Sequence, residues 1–350
     1  MPTGHRPSSS EPGLVHVSDE MPGIHRVRRG RGFAYRASSG SWLTDNAEIK
    51  RIRQLAIPPA YRDVWICPLA NGHLQATGRD ARGRKQYRYH PRWRASRESD
   101  KFERMVEFGQ ALPRLRARMA RDLRGGAALS HKRLRATLLR LLDTTLLRIG
   151  NEEYARSNGS FGLTTLRNPH AQVSGSRLRL RFRGKSGVPH DITVEDPRLA
   201  RIVRRCQGLP GQDLFQYEDE DGTVRRIGSA DVNSYLGEAC DAEFTAKDFR
   251  TWHASVQALE LTRLACEDDA QQGFNARSVL AEVARRLRNT PAVCKSSYIH
   301  TAVLKLWEAL DATPAEAAAA RRKLAALQPR QARRGLQMAE QRLLLFLKGS

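Results

Sequence analysis

Residues 177–190 read RLRLRFRGKSGVPH. Arginines alternate with Leu178, Leu180 and Phe182, the two-residue period of a strand with one apolar face. Val188, Ile192 and Val194 supply a return strand, so the GKSG between them reads as a hairpin tip whose glycines furnish the turn. The segments on both sides have a different rhythm. EFGQALPRLRARMARDL, KRLRATLLRLLDTTLLRI, DVNSYLGEAC, TWHASVQALELTRLACE and ARSVLAEVARRLRN all place apolar residues at i, i+3 and i+4, as amphipathic helices do. One hairpin inside a run of helices therefore sets the class of the larger part of the chain. Its tip carries a lysine where the composition predicts arginine: of the 60 basic residues only 10 are Lys. An ordinary solvated turn accounts for GKSG as well as a functional tip does, until partners for Lys185 are found.

Outward from the hairpin the chain divides by composition. Residues 1–20 are polar and rich in Pro and Ser, and are expected to form a tail. Residues 21–96 are short strand-like pieces (GFAYRA, DVWICPL, HLQATG, QYRYH) broken by Gly and Pro, with a helix near 45–56. Residues 97–311 form the helical domain with its hairpin, and 312–350 an Ala/Arg-rich helical segment with little motif content. The fold class is α+β: a small β-rich N-terminal domain followed by a larger, mainly α-helical one.

The formal net charge is +23 over 350 residues, against a magnitude of about 2–8 for a small soluble domain. A polyanionic partner is implied, with nucleic acid first, although an Arg-rich solvated surface would give the same count. The five cysteines are scattered with no CxxC pair, which argues against a disulfide framework and a cysteine zinc site. The ten histidines show no ligand spacing, and no metal or cofactor is expected. No apolar run reaches membrane-spanning length and no apolar secretion core opens the chain, so the default expectation is a soluble protein of the cytoplasm.

Basic residues recur at helix boundaries. Arg148, in LLRIGNEEYA, reads as the end of a long helix, where a cation is stabilising. Thr245 and Asp248 have capping-box spacing, which sets Arg250 in the first turns of the next helix. A cation there opposes the helix dipole and calls for an anion, and Arg grips phosphate oxygens with two donors at once. In LRNTPAVCKSSYIH, Asn289 closes one helix, and Thr290 with Pro291 opens another that leads to Tyr298. A tyrosine is usually core, but this one follows Ser296, Ser297 and the nearby Lys295.

In that order, Arg148, Lys185, Arg250, Asn289 and Tyr298 resemble the catalytic pentad of the type IB DNA topoisomerases, in their compact poxvirus-like bacterial branch. LLRIGNEEYA, FRGKSG, TAKDFRTW and NTP…SYIH carry the resemblance. IPPAYRDVWICP and GRDARGRKQYRYHPRW are similar to the family's first domain. Many members have His where Asn289 stands; Asn can donate a hydrogen bond there but carries no charge. The resemblance implies a C-shaped monomeric clamp on duplex DNA, located with the nucleoid. It implies Tyr298 as nucleophile forming a 3′-phosphotyrosyl link, Lys185 as general acid, and Arg148, Arg250 and Asn289 around the phosphate, without ATP or metal. It would lay Arg84, Lys85, Gln86, Tyr87 and Tyr89 in the major groove, a mix of amide, aromatic and basic side chains that suits a groove. A β edge kept soluble by its charges has the same composition. A site-specific tyrosine recombinase shares the Arg/Lys/Arg/Tyr set but usually starts with a helical domain. A non-enzymatic DNA binder would explain the charge and not the ordered pentad.

Overall fold

The computed structural model describes residues 13–124, 129–267 and 274–349, apart from the side chains of 97–100. Two compact units divide the chain, Met1–Lys101 and Phe102–Ser350. No helix among the described residues is long and apolar enough to cross a membrane, and all five cysteines are free thiols.

The first unit is built on strands β1 (Ile24–Arg29), β2 (Gly32–Arg36), β3 (Arg62–Ile66), β4 (Leu74–Arg79) and β5 (Lys85–Tyr89), with helix α1 (Asn46–Gln54) between β2 and β3. They pair antiparallel in the order β2-β1-β3-β4-β5. Asp45 caps α1 by accepting from the Ala47 amide at 2.8 Å, and Ile52 on that helix packs with Ile24, Val64, Ile66 and Ala76. The expected tail is not one over 13–20; residues 1–12 lie outside the described residues. Val15 bridges to Gly72, Val17 is buried with Trp65, Cys67 and Leu74, and the Val17 amide donates to His73 Nδ1 at 3.0 Å. Two valines in a polar context are too short a signal to read as a strand, yet one pairs its backbone with Gly72 and the other is buried.

Helix α2 (Pro91–Arg124) begins six residues before the expected domain boundary at 97. His90 starts it, its Nδ1 accepting from the Arg92 amide at 3.2 Å, a cap that the usual Ser/Thr/Asp/Asn signature does not reveal. The units divide within this helix. Beyond the division, Phe102, Met105, Phe108, Leu112, Leu115 and Met119 form one buried stripe.

The second unit continues through α3 (His131–Thr145), α4 (Glu152–Asn158), β6 (Ala171–Ser174), β7 (Arg177–Arg183), β8 (Pro189–Glu195), α5 (Pro197–Cys206), β9 (Gln216–Glu218), β10 (Val224–Arg226), α6 (Ser229–Cys240), α7 (Ala246–Glu267), α8 (Ala276–Leu287), α9 (Pro291–Ser297), α10 (Thr301–Leu310), α11 (Pro314–Ala325) and α12 (Met338–Lys348). The hairpin expected from 177–190 is β7–β8, in register from Arg177↔Glu195 to Arg183↔Pro189, with β6 on the far side of β7. Leu178, Leu180 and Phe182 face the core and the arginines between them face out. Helix α7 buries Phe249, Arg250, Trp252, Ala254, Val256 and Leu259, residues distributed around its axis, and is the central helix of this unit.

The C-terminal residues 312–350 are not a separate segment. Leu324, Leu336, Leu343, Leu344 and Phe346 join the same core as α2, α3 and α7. Glu340 of α12 is buried, takes two hydrogen bonds from Arg116 at 2.7 and 2.8 Å, and accepts from Trp252 Nε1 at 3.0 Å. The Ala/Arg bias of 312–334 hid the apolar pattern that resumes at Leu343.

Candidate active site

Arg250 is buried within the site. Its place in the first turns of α7 follows from the cap: the Thr245 amide donates to Asp248 Oδ2 at 2.7 Å. The side chain is only 4% exposed. The anion it was expected to need is partly supplied from within. Its Nη1 donates to the Leu146 carbonyl and its Nη2 to the Leu287 carbonyl at 2.9 Å. These carbonyls lie at the C-termini of α3 and α8, the negative ends of two helix dipoles. Arg250 thus ties together the two helix ends from which the next two site residues emerge.

Arg148 is not the helix-end cation the sequence suggested. Helix α3 stops at Thr145, and Leu146 turns left-handed at φ 58°. Arg148 then sits in a loop held by the Leu163 amide on its carbonyl at 2.9 Å and by the Thr164 amide on that of Ile149 at 2.7 Å. Two glycines make this approach possible: a Cβ on Gly162 would come within 2.5 Å of the Gly150 backbone. From the loop, Arg148 Nη1 donates to the Tyr298 hydroxyl at 3.0 Å and Nη2 to Asn289 Oδ1 at 2.7 Å.

Helix α8 ends with Arg288 left-handed, and the Asn289 amide bonds back to Ala284. Thr290 then caps α9, accepting from the Val293 amide at 3.3 Å, with Pro291 in its first turn as expected. Two turns later Tyr298 closes α9 and is 5% exposed. Its ring lies under Arg250, whose Cζ is 5.1 Å from the ring centroid. Burial is the largest single influence on the phenol and pushes its pKa up. Arg250 and Arg148 together outweigh it, and the net shift is downward from 10. Among the described residues neither arginine pairs with a carboxylate.

Among the described residues, three polar atoms around this cluster are buried without a partner: Arg250 Nε, Asn289 Nδ2 and, on β8, His190 Nδ1. The amide orientation of Asn289 is decided by its neighbour. Arginine only donates, so the atom facing Arg148 must be the oxygen, and the NH₂ is left as an open donor.

Lys185 is exposed at the hairpin tip. It lines a cavity of about 270 Å³ together with Arg148, Ile149, Asn151, Tyr154 and Phe161. The tip is a short 3₁₀ turn over Lys185–Gly187. Gly187 supplies left-handed geometry at φ 76°, and so, unexpectedly, does Ser186 at φ 64°. Gly184 is extended at φ −91° and is glycine for another reason: a Cβ there would lie 2.4 Å from His190 Nε2. His190 stacks on Phe182 with centroids 4.8 Å apart. Nothing in the sequence singled out Arg288, whose partners are distant along the chain, or His190, whose packing on Phe182 and Gly184 across the hairpin leaves no motif.

Four of the five, Arg148, Arg250, Asn289 and Tyr298, are thereby brought together, and Lys185 lines a cavity with one of them, Arg148. Residues 90–324 match the family model of the eukaryotic DNA topoisomerase I catalytic core. The chain is 34% identical over 297 residues to DNA topoisomerase 1B of Acanthamoeba polyphaga mimivirus, covering 82% of this chain and 88% of that one.

The chain belongs to the type IB DNA topoisomerases.

Residues 32–80 match the bacterial DNA topoisomerase IB N-terminal domain, which places this topoisomerase with the poxvirus-like and bacterial branch. DNA topoisomerase 1B of vaccinia virus is 25% identical over 273 residues, 75% of this chain and 82% of the viral one. Residues 81–89 fall between the two family matches. They hold the candidate groove residues, Arg84 just before edge strand β5 and the other four on it. Arg84 is paired with Asp80 at 2.6 Å and Gln86 donates to the same carboxylate at 3.0 Å. Lys85 is paired with Asp19 at 2.6 Å. Tyr87 and Tyr89 stack on each other, centroids 6.1 Å apart, and remain 49% and 40% exposed.

Proposed function

We propose that this topoisomerase relaxes positive and negative supercoils by nicking one strand of duplex DNA, letting it swivel, and resealing it. Tyr298 Oη attacks the scissile phosphorus, and the new O–P bond forms as the P–O5′ bond breaks. The products are a 3′-phosphotyrosyl link and a 5′-hydroxyl. Arg148 and Arg250 favour the phenolate and, with the open amide of Asn289, stabilise charge on the nonbridging oxygens. Lys185 gives its proton to the departing O5′. The covalent link conserves the phosphodiester, so religation is the reverse step and the proposal calls for no nucleotide or metal. The enzyme acts as a monomer clamping one duplex in the nucleoid, with the Tyr87–Tyr89 stack against the groove.

The observation that carries the reading is Arg148 bonded to both Tyr298 and Asn289 beside buried Arg250, with Arg250 Nε and Asn289 Nδ2 left without a partner among the described residues. Buried donors are nearly always paired, so an acceptor-rich ligand such as a phosphodiester is what the cluster is built to receive. A tyrosine recombinase would use a similar cluster. The bacterial topoisomerase N-terminal domain over 32–80 favours the swivelling enzyme instead. The test is relaxation of supercoiled plasmid in EDTA without nucleotide, with Tyr298→Phe in parallel. Wild type should relax both signs of supercoil. Tyr298→Phe should bind duplex normally and form no covalent adduct. An absolute need for ATP or Mg²⁺, or an adduct on another tyrosine, would overturn the proposal.

A further inference from the structure

Arg288 ends α8 with φ 51°. A left-handed C-terminal position favours glycine and is disfavoured for a long side chain. Strain of this kind persists where the side chain has a task that surrounding structure enforces. The task is visible. Arg288 Nη1 donates to the Pro189 carbonyl at 2.6 Å and Nη2 to the Asp191 carbonyl at 3.0 Å. Both carbonyls belong to β8, which is an edge strand of its sheet. In an antiparallel ladder alternate residues turn their carbonyls away from the paired strand. The guanidinium takes two successive carbonyls of that kind and so grips the open edge of the hairpin.

The grip falls on either side of His190. The His190 ring in turn packs on Phe182 and against the bare Cα of Gly184, the residue before Lys185. At its other end Arg288 is joined by one peptide bond to Asn289. We infer that Arg288 is a positioning residue: it fastens the Lys185 hairpin to the turn that carries Asn289, so that the proton donor and the phosphate-binding amide keep one geometry. This rests on the reading of Lys185 as the general acid.

Arg288→Gly is the informative variant. Glycine relieves the left-handed strain, so the fold should hold, with a melting temperature within about 4 °C of wild type. Duplex binding should be unchanged. Single-turnover cleavage of an ordinary oligonucleotide duplex should slow by about 10- to 100-fold, part of the 10²–10⁴-fold that a positioned acid supplies. The same duplex with sulfur in place of the bridging 5′-oxygen has a leaving group that needs no proton. On it the defect should shrink to about twofold or less, as for Lys185→Ala run alongside. Amide exchange at Gly184 and Gly187, whose N–H groups close the tip, should quicken. An unchanged rate on the oxygen substrate overturns the inference. So does a defect that persists on sulfur while that of Lys185→Ala disappears. If sulfur rescues neither variant, Lys185 is not the acid. The exchange rates then decide the matter: faster exchange at the tip keeps Arg288 as the hairpin's anchor, and unchanged exchange removes it.

Discussion

Asn289 and His190 show how a single side chain takes its chemistry from its neighbours. Asn289 has no charge, but Arg148 fixes its oxygen and leaves the NH₂ as a donor in a buried place. The geometry substitutes orientation for the charge that a histidine would bring. His190 has no assigned step, and its environment predicts a measurable consequence. Burial, joined by the charges of Arg288, Arg250 and Arg148, pushes its pKa down to about 4 from 6.5. The unfolded chain therefore binds the proton first as pH falls. Stability held by the neutral ring is complete above about 6.5 and is lost as pH drops toward 4. Wild type should lose melting temperature across that window more steeply than His190→Gln, in which nothing titrates at this position. Parallel curves for the two proteins would show that the ring is not held neutral.

At the scale of elements, the C-terminal helix is tied to the catalytic helices through one buried ion cluster. Arg116 of α2 makes two bonds to Asp143 of α3, both 2.8 Å, and two to Glu340 of α12. The Arg116, Asp143 and Glu340 side chains are 15%, 3% and 1% exposed. His253, one turn after Arg250 on α7, bonds the same Asp143 at 3.1 Å. The family core match ends at residue 324, before α12, so this support lies outside the recognised core. Glu340→Ala leaves Arg116 paired with Asp143 but takes the buried acceptor from two Arg116 N–H groups and from Trp252 Nε1. It should therefore cost about 2–3 kcal/mol in urea denaturation. A cost below about 1 kcal/mol would mean that water reaches Arg116 and that α12 is held by its leucines alone. The hairpin differs: its strands are set by local alternation, and Arg288 bonds its open edge to the end of α8.

Over the whole molecule the surplus of +23 predicts how DNA is held. Phosphate contacts release counterions, so log affinity should fall linearly with log salt, at about 0.9 per phosphate neutralised. A shallow dependence would mean that the charge is a solvated surface. On β5 the neighbouring Arg84, Lys85 and Gln86 are already engaged with Asp80 and Asp19. The exposed contribution there is the Tyr87–Tyr89 stack. Replacing both by Ala should weaken noncovalent binding or shift cleavage-site choice, with little change in cleavage rate at a prebound site. Unchanged binding and site choice would return the strand to the role of a soluble edge.

Local rules were enough for much of this. Alternation fixed the 177–195 hairpin, and capping chemistry fixed the starts of α7 and α9. The order of five polar residues identified the family, because side-chain type and spacing are properties of the chain itself. What needed tertiary structure were the relations between distant segments. That Arg250 is paired with two helix-end carbonyls, that Arg148 lies in a loop rather than on a helix, and that residues 13–20 and α12 are packed parts of their units all depend on partners far away in sequence. Arg288 was invisible for the same reason. A hydrogen bond spanning 99 residues leaves no periodic mark on either end, since burial and partner choice are decided by packing and not by propensity.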